Sequence, residues 1–366
     1  MNEKKILINL SLLMSKPTGI TIYAANVFPY LKPLNPTLLT AQNNSEFNCY
    51  SVPNNLTPEQ GTKGHLRRLL WAQFQLPKIY QKLEGDLLFS PVPEAPLSSN
   101  CRSIVMVHDL IPLRFPKKTS PLTPYFKNYI PQVLKQAKHI LCNSQATATD
   151  IIDFFGISAN KITPILLAYD KNHFRPLESS TETESKTKLP YFLYLGRHDP
   201  HKNLPRLVEA FSKISNCQDY ELWLAGPTDK RYTPKLQQQA SELGIINQVR
   251  FLDYVDYNQL PILLNQALAL VFPSLWEGFG FPVLEAMGCG TPVITSNLSS
   301  LLEVAGDAAL LVNPYDITQM TVAMEQIIND HGLRSQLRTL SLQQSSKFSW
   351  QKTGEATLEI LRGFVI

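Results

Sequence analysis

Runs of residues typical of buried strands alternate along this chain with runs typical of helices, and the whole pattern begins twice. Residues 177–188, between the two series, contain one apolar residue and have no periodicity, so we interpret them as a linker. Alternation of this kind favours a parallel sheet with helices on both faces. We therefore expect an α/β protein of two doubly wound domains, 1–176 and 189–349, that face each other across a cleft.

The predicted strands of the first series are residues 6–10, 48–52, 87–90, 103–107 and 140–143. Helices are predicted between them, for example at residues 21–31, 66–82 and 124–135. The predicted strands of the second series are residues 191–195, 221–225, 249–252, 269–272, 292–295 and 309–312. Ligands of doubly wound folds bind beyond the carboxyl ends of the strands, so residues that directly follow a strand are the candidate site residues.

Length and composition agree with a two-domain globular protein. The 366 residues are 44% hydrophobic and 17% charged, which excludes the disordered class. No apolar run approaches the ~20 residues of a membrane span. The five cysteines are odd in number and form no C-x-x-C, which argues against a disulfide framework or a zinc site. We expect a cytoplasmic protein.

Charge is unevenly distributed along the chain. Residues 1–178 contain 19 Lys and Arg against 11 Asp and Glu, whereas the remainder contains 15 against 19. Two interpretations stay open: an anionic partner, such as a phospholipid surface or a diphosphate-linked acceptor, or a simple excess of solvated lysines. Nucleic acid is disfavoured as a partner because no basic stripe is interleaved with aromatic residues.

Residues 273–292 are the most informative segment. A buried strand leads into a Gly-rich turn, and Pro282 then begins a helix at a position where its missing N–H costs nothing. We expect the amides of Val283 and Leu284 to be free at that helix start, where the helix dipole favours an anion. The segment thus predicts an anion site at the carboxyl end of a strand.

Two carboxylates, Glu277 and Glu285, bracket the predicted anion site. Carboxylates are poor phosphate ligands and good acceptors for hydroxyl groups, while Gly278 and Gly280 let a ligand approach the backbone closely. A sugar and a ribose joined by a diphosphate present hydroxyl, anion and hydroxyl in that order. A capped helix with one exposed Glu is the alternative, and it does not explain the glycines together with both acids.

The residues from Glu277 to Glu285 resemble the E-x7-E motif of family 4 glycosyltransferases, which are retaining enzymes with the GT-B fold of two Rossmann-like domains. The similarity continues through residues 286–294 and 303–309. The resemblance implies that Glu285 hydrogen-bonds the donor ribose and that Glu277 holds hydroxyls of the transferred sugar. It also implies that backbone amides assist Glu277, namely those of Gly278, Phe279, Gly280 and Phe281.

A second candidate segment follows the predicted strand 191–195 and contains Arg197 and Lys202. Two cations at a strand end can neutralise a diphosphate leaving group, although Arg and Lys in a polar turn are commonly just surface residues. The resemblance assigns both to the diphosphate because they match the family's R-x4-K pattern. His198 and His201 receive no role from it, and we interpret both as turn residues.

His108 directly follows the predicted strand 103–107. A lone His at such a place is commonly structural. The resemblance instead implies contact with the donor sugar near the reacting carbon, through the ring and the backbone carbonyl, with Asp109 orienting the loop. The chain has no D-x-D sequence or His cluster that predicts a metal, and we expect no cofactor.

Three further segments carry weaker signals. Gly19 precedes a helix expected from about residue 21, which suits an approaching phosphate, but Thr21 stands where related enzymes often have a second glycine. Residues 67–74 combine basic and aromatic side chains, which indicates either contact with a membrane or acceptor or an ordinary core helix with an exposed basic edge. The amphipathic stretch 350–366 is implied by the resemblance to pack back on the first domain.

The sequence thus predicts a retaining, metal-independent hexosyltransferase whose first domain binds acceptor and whose second binds nucleotide sugar. Residues 107–112 look like the bacterial mannosyltransferase and rhamnosyltransferase branch, so GDP-mannose is the expected donor. A UDP-sugar is the alternative, followed by a nucleotide-sugar 2-epimerase. A glycan or lipid-linked acceptor in surface polysaccharide or glycoconjugate synthesis is expected, with peripheral contact at the inner face of the membrane through the basic N-terminal domain.

Overall fold

The structure is a computed structural model that describes residues 4–14, 19–97, 99–117, 122–177 and 189–365. The predicted linker from residue 178 onward lies outside the described residues, as do Pro17 and Thr18 of the loop before Gly19. The chain divides into two compact units: unit 1 comprises Met1–Leu167 and Ser349–Ile366, and unit 2 comprises Ala168–Phe348.

Unit 1 ends nine residues before the predicted limit of 176. Residues 168–176 belong to unit 2 because their groups find partners there. Phe174 is fully buried, and the Asn265 side chain accepts from the amide of Leu177 and donates to the carbonyl of Arg175. The boundary between the two units therefore lies before the predicted linker of residues 177–188.

Unit 1 contains a parallel sheet of seven strands in the order β3-β2-β1-β4-β5-β6-β7. The strands are β1 Ile6–Asn9, β2 Thr37–Thr40, β3 Asn48–Ser51, β4 Leu87–Ser90, β5 Ser103–Val107, β6 His139–Cys142 and β7 Ile162–Pro164. Strands β1, β4 and β5 are buried along their whole length. The sheet reverses its winding between β1 and β4, which pair in parallel with Ile6 opposite Leu87.

The helices of unit 1 are α1 Gly19–Val27, α2 Gly61–Phe74, α3 Leu76–Lys82, α4 Ile111–Arg114, α5 Leu122–Pro124, α6 Ile130–Gln136 and α7 Gln145–Phe155. Short 3₁₀ segments lie at Phe28–Leu34, Pro58–Gln60 and Ala159–Lys161, and a π-helical turn lies at Tyr125–Tyr129. Each of the three predicted helices is divided near a proline, which cannot donate within a helix. The predicted helix 66–82 is two helices, with Pro77 in the first turn of the second.

Unit 2 contains a parallel sheet of six strands in the order β10-β9-β8-β11-β12-β13. The strands are β8 Tyr191–Leu195, β9 Glu221–Ala225, β10 Val249–Leu252, β11 Ala269–Phe272, β12 Val293–Ser296 and β13 Leu310–Val312. The helices are α8 Leu204–Ser212, α9 Thr233–Glu242, α10 Leu260–Gln266, α11 Phe281–Gly288, α12 Ser300–Ala305, α13 Ile317–Asn329 and α14 His331–Ser345. Short 3₁₀ segments lie at Pro200–Lys202, Cys217–Asp219 and Tyr257–Gln259. The reversal of winding between β8 and β11 brings the loops after these strands together.

The final helix, α15 Trp350–Gly363, packs on α1 and on the 3₁₀ segment that follows it, and so belongs to unit 1. Thr353 Oγ1 donates to the carbonyl of Leu166 over 2.8 Å. Gly354 lies so close to the Tyr30 ring that a Cβ atom would overlap it. The α/β class with two doubly wound parallel sheets is thus confirmed. Within the described ranges, no helix is both long and apolar enough to cross a membrane.

Candidate active site

The Gly-rich turn of unit 2 ends at Gly280, which caps α11 with a φ of 113°. The helix begins at Phe281, one residue earlier than predicted. The amides of Val283 and Leu284 therefore donate to the Gly280 carbonyl, at 3.1 and 3.3 Å, and the prediction that they are free is wrong. Among the described residues, the amides of Phe279, Gly280 and Phe281 donate to no other group. The free donors at this helix start thus belong to the end of the turn and to the first residue of α11.

Lys202 and Glu277, predicted on separate loops, form an ion pair with 2.6 Å between Nζ and Oε1. Both side chains are largely buried, with 16% and 10% of their surface exposed. The loop that carries Lys202 is tied to the loop after β11, because the amide of Leu275 donates to the carbonyl of His201 and the Asn203 side chain donates to the carbonyl of Pro273. The carboxyl ends of β8 and β11 thereby share one charged centre.

Two serines hold the backbone of Glu277. Ser299 Oγ accepts from the Glu277 amide over 3.1 Å, and Ser300 Oγ donates to the carbonyls of Glu277 and Phe279 over 3.0 and 2.8 Å. Neither serine belongs to a motif that could be recognised in the sequence. The available signal was their place at the start of α12, with Ser299 at the N-cap, where a serine is expected to cap the helix.

Glu285 lies within α11 and is partly exposed. Its carboxylate makes no hydrogen bond or ion pair with the described residues, and burial alone raises the pKa of the carboxyl to about 7. Tyr257, after β10, lies close enough for Glu285 to contribute to the raised pKa of its hydroxyl, of about 12, which is due first to burial. Unit 2 therefore presents a free hydrogen-bond acceptor on α11, the helix that follows the turn of Glu277.

Arg197 follows β8, as predicted, but its side chain is 67% exposed and pairs with Asp199 over 3.0 Å. The Tyr194 hydroxyl donates to the Arg197 carbonyl over 2.8 Å, which fixes the backbone while the guanidinium remains in solvent. His198 is buried and its Nδ1 lies 2.7 Å from Thr233 Oγ1, in agreement with a structural role in the turn. The cation that meets Glu277 is therefore Lys202, not Arg197.

His108, in unit 1, is 92% buried directly after β5. Its Nε2 donates to the carbonyl of Pro91 over 2.9 Å, so Nδ1 is the acceptor of the neutral ring. Burial lowers the pKa of His108 to about 4. The ring of Tyr23 meets it edge-on at 5.1 Å, so α1, which begins at Gly19, packs beside His108. Asp109 accepts from the amide two residues on, which agrees with its predicted role in the loop.

The two arginines of the segment 67–74 differ in exposure, and Arg67 is exposed. Arg68 is buried and makes a two-point ion pair with the buried Glu94, over 2.7 and 2.9 Å. The exposed edge of α2 carries three apolar side chains, Leu66, Leu70 and Phe74, at 57%, 51% and 63% exposure. These three residues, spaced four apart, form what we call the α2 apolar edge.

Residues 177–341 match the family described as Glycosyl transferases group 1, and residues 19–172 match Glycosyltransferase Family 4. The chain is 31% identical to O-antigen chain mannosyltransferase B of Escherichia coli over 265 residues, which are 70% of this chain and 69% of that protein. It is 31% identical to the serotype-specific mannosyltransferase WbdA of Escherichia coli over 70% of this chain but only 33% of that protein, so it spans about a third of this relative. The crystal structure of Anabaena HepE in complex with UDP and glucose is similar in fold, with a TM-score of 0.74 and 18% identity over 98% of this chain and 100% of that one.

Two doubly wound parallel sheets, together with a Gly-rich turn before α11 that carries acids on both sides, define the GT-B class of glycosyltransferases. Within that class, the chain belongs to glycosyltransferase family 4, on the mannosyltransferase branch. The resemblance in the sequence is thereby confirmed.

Proposed function

We propose that this protein is a retaining glycosyltransferase that moves a hexose from a nucleotide-diphosphate sugar, first of all GDP-mannose, to a glycan or lipid-linked acceptor in surface polysaccharide or glycoconjugate synthesis. Unit 2 binds the donor and unit 1 the acceptor. The observation that carries the proposal is the free carboxylate of Glu285, on the helix that follows the Lys202–Glu277 ion pair. Family membership supports it.

Each group of unit 2 has a chemical counterpart in such a donor. The Glu285 carboxylate accepts from the ribose hydroxyls, and the free amides of residues 279–281 donate to phosphate oxygens at the helix start. The diphosphate takes the place of Glu277 at the Lys202 ammonium. Glu277, released from its ion pair, then accepts from hydroxyls of the transferred sugar.

The chemical step needs positive charge more than it needs a protein nucleophile. The bond between the anomeric carbon and the diphosphate oxygen breaks, and its electron pair leaves with the diphosphate, which Lys202 and Arg197 neutralise. The acceptor oxygen bonds to the same face of the carbon, and its proton passes to the departing phosphate oxygen. His108, neutral at pH 7 because its pKa is low, contacts the sugar through its Nδ1 acceptor and its carbonyl.

The donor base is proposed on the names of relatives. The two curated relatives are mannosyltransferases, which supports GDP-mannose. The structural neighbour HepE was solved with UDP and glucose, which supports a UDP-sugar as the alternative. A nucleotide-sugar 2-epimerase of the same fold is the remaining alternative, and it would convert the donor without any second substrate.

Thermal-shift binding tests the donor site directly. We would compare GDP, UDP, GDP-mannose and UDP-glucose on the wild type, on Glu285→Ala and on Glu242→Ala, a control acid on the exposed side of α9. We expect one nucleotide series to stabilise the wild type and the control, with most of the shift lost in Glu285→Ala. A wild type that none of the four ligands stabilises would contradict the proposal.

We also propose that transfer needs no metal ion, since Lys202 and Arg197 supply positive charge at the leaving diphosphate. The described residues include no cluster of three or more His, Cys, Asp or Glu suited to a metal ion. Hydrolysis of the donor is expected to continue at full rate in excess EDTA. A rate that EDTA abolishes and Mg²⁺ or Mn²⁺ restores would refute this part of the proposal.

Peripheral membrane contact is proposed for unit 1 through α2 and α3. The α2 apolar edge exposes three large side chains, and no Asp or Glu occurs between Glu59 and Glu84. The same two helices carry four exposed cations: Lys63 and Arg67 on α2, and Lys78 and Lys82 on α3. Apolar side chains flanked by exposed cations suit an anionic lipid surface.

Vesicle flotation tests this contact. We expect binding to vesicles of equal parts phosphatidylglycerol and phosphatidylcholine, weakened by salt and largely lost when Leu66, Leu70 and Phe74 are all changed to Gln. The control changes three exposed apolar residues of unit 2, Leu243, Ile246 and Val322, to Gln. Equal binding by both triple variants would exclude the α2 apolar edge as the contact.

A further inference from the structure

Ser299 stands at the N-cap of α12 but does not cap that helix. The serines at the starts of α7 and α15 behave in the usual way: Ser144 accepts from the amide of Thr147, and Ser349 accepts from the amide of Lys352. Ser299 Oγ accepts instead from the amide of Glu277, 22 residues earlier in the chain. The hydroxyl is therefore directed away from its own helix and onto the turn that carries Glu277.

The backbone of Ser299 is strained, with φ at 56° and ψ at −150°. L residues rarely adopt this combination, and Gly adopts it without cost. A serine at position 299 thus retains the backbone strain, and it also provides the hydroxyl that accepts from the Glu277 amide. A Gly would relieve the strain but would leave the Glu277 amide without its acceptor.

Ser300 completes the arrangement from the next position. Its side chain is fully buried, and its hydroxyl donates to the carbonyls of Glu277 and Phe279. The two serines together bind both backbone groups of Glu277. The Glu277 carboxylate lies 2.6 Å from the Lys202 ammonium. The loop that carries Lys202 is held separately, by the hydrogen bond that the His201 carbonyl accepts.

We infer that Ser299 and Ser300 are positioning residues for Glu277: they hold its backbone so that the carboxylate points at the place shared by the Lys202 ammonium and the donor sugar. Neither serine needs to touch the substrate. The inference rests on the proposed function, because it gives Glu277 a donor sugar to bind.

Ser299→Gly separates a positioning role from a structural one, because the two roles predict opposite results. Relief of backbone strain is expected to leave the thermal midpoint of unit 2 unchanged or higher. Loss of the hydroxyl is expected to lower kcat for release of nucleoside diphosphate from the donor about five- to tenfold, the worth of one hydrogen bond. Ser299→Ala keeps the strain, so it is expected to lose both stability and kcat.

Ser300→Ala is expected to lower kcat as well, with Ser341→Ala as its control. Ser341 is also fully buried, and its hydroxyl also donates to two carbonyls, those of Thr291 and Ala308, away from the Glu277 turn. Ser349→Ala is the control for Ser299, since it removes an ordinary cap. Both controls are expected to lower the thermal midpoint and to leave kcat unchanged.

Binding provides the second readout. The serine variants are expected to bind the nucleoside diphosphate as the wild type does and to lose the additional stabilisation that the attached sugar provides. If the wild type is active and Ser299→Gly and Ser300→Ala turn over donor at the wild-type rate, the inference is overturned while the proposed function stands. A wild type that neither binds nor hydrolyses any nucleotide sugar overturns the proposed function, and this inference with it.

Discussion

Glu285 holds a carboxyl group that the surrounding protein does not satisfy. Its pKa of about 7 means that the folded protein binds this proton more tightly than the unfolded chain, whose Glu titrates near 4.5. Stability is therefore highest at low pH, with respect to this one group, and falls as the pH rises from about 4.5 to 7. The same unsatisfied acceptor is what a ribose can use.

Glu285→Gln is expected to remove this pH-dependent cost. At about pH 8 the variant should have a free energy of unfolding about 1–3 kcal/mol above that of the wild type, and near pH 4.5 the two should agree. Urea denaturation at both pH values measures the difference. Glu242→Gln, which alters an exposed acid, should show no such divergence, and a gap for Glu285→Gln that is equal at both pH values would contradict the raised pKa.

Protonation of Glu285 is expected to weaken donor binding, although it increases the stability of the protein. Only the ionised Glu285 accepts from both ribose hydroxyls, so binding of the nucleotide sugar is expected to weaken about tenfold between pH 8 and pH 6. A nucleotide sugar is the proper probe because its diphosphate does not titrate in this range. Calorimetric titration measures the effect, and Glu285→Gln should bind weakly at every pH. A wild-type affinity that does not change would remove Glu285 from the ribose site.

Lys202→Met is expected to damage both stability and turnover, because it leaves the Glu277 carboxylate largely buried and unpaired. We expect a loss of about 2–4 kcal/mol in the free energy of unfolding and a fall in donor turnover of at least about a hundredfold. Lys213→Met is the control, since Lys213 pairs with Glu209 on an exposed helix face and should cost under about 0.5 kcal/mol. Similar losses in both variants would show that the Lys202 pair is an ordinary surface interaction.

The turn before α11 depends on Gly280 for two separate reasons. Its φ of 113° is unsuited to an L side chain, and a Cβ would approach Leu301 Cδ2 to 2.8 Å. Gly280→Ala is thus expected to cost about 2–3 kcal/mol and to reduce donor binding. Gly244→Ala isolates the backbone cost, about 1 kcal/mol, because φ is 71° there but nothing lies within 4 Å. Chemical denaturation compares the two, and equal losses would mean that the contact with Leu301 is irrelevant.

Strands were the most predictable elements because a buried parallel strand is a short apolar run that needs no partner to be recognised. Strands β2, Thr37–Thr40, and β7, Ile162–Pro164, were not predicted, because β2 is polar at both ends and β7 has only three residues, one of them Pro. Helix ends were less predictable: α11 begins at Phe281 because of the backbone turn at Gly280, and one residue of difference changes which amides are free.

The motif residues of the site could be predicted, but not how they are held. Glu277 and Lys202 were expected from the family resemblance, whereas their ion pair requires two loops to meet. The bond from Ser299 to Glu277 joins residues 22 positions apart, and no local pattern encodes it. Free or satisfied carboxylates, such as Glu285 and Glu94, likewise differ only in what the fold places beside them.

Each unit has its own core, so a steric overlap introduced in one unit is expected to destabilise that unit and not the other. A Cβ at Gly354 would overlap the Tyr30 ring in unit 1, and a Cβ at Gly288 would overlap the Tyr169 ring in unit 2. Gly354→Ala is expected to speed hydrogen exchange in strands of unit 1 and Gly288→Ala in strands of unit 2. Mass spectrometry of the peptides from each unit measures this, and the two variants serve as controls for one another. Identical exchange patterns would contradict the division into separate cores.

Because α15 packs on unit 1, it affects how the chain folds while it is being synthesised on the ribosome. Unit 2 is one continuous stretch of chain, from Ala168 to Phe348. The last helix of unit 1 is synthesised only after all of those residues have been translated. At ordinary elongation speeds this delay is on the order of 10–40 s. During that time the faces of α1 and of the following 3₁₀ segment that will receive α15 remain uncovered in the nascent chain. The part of the protein made first is thus the part completed last.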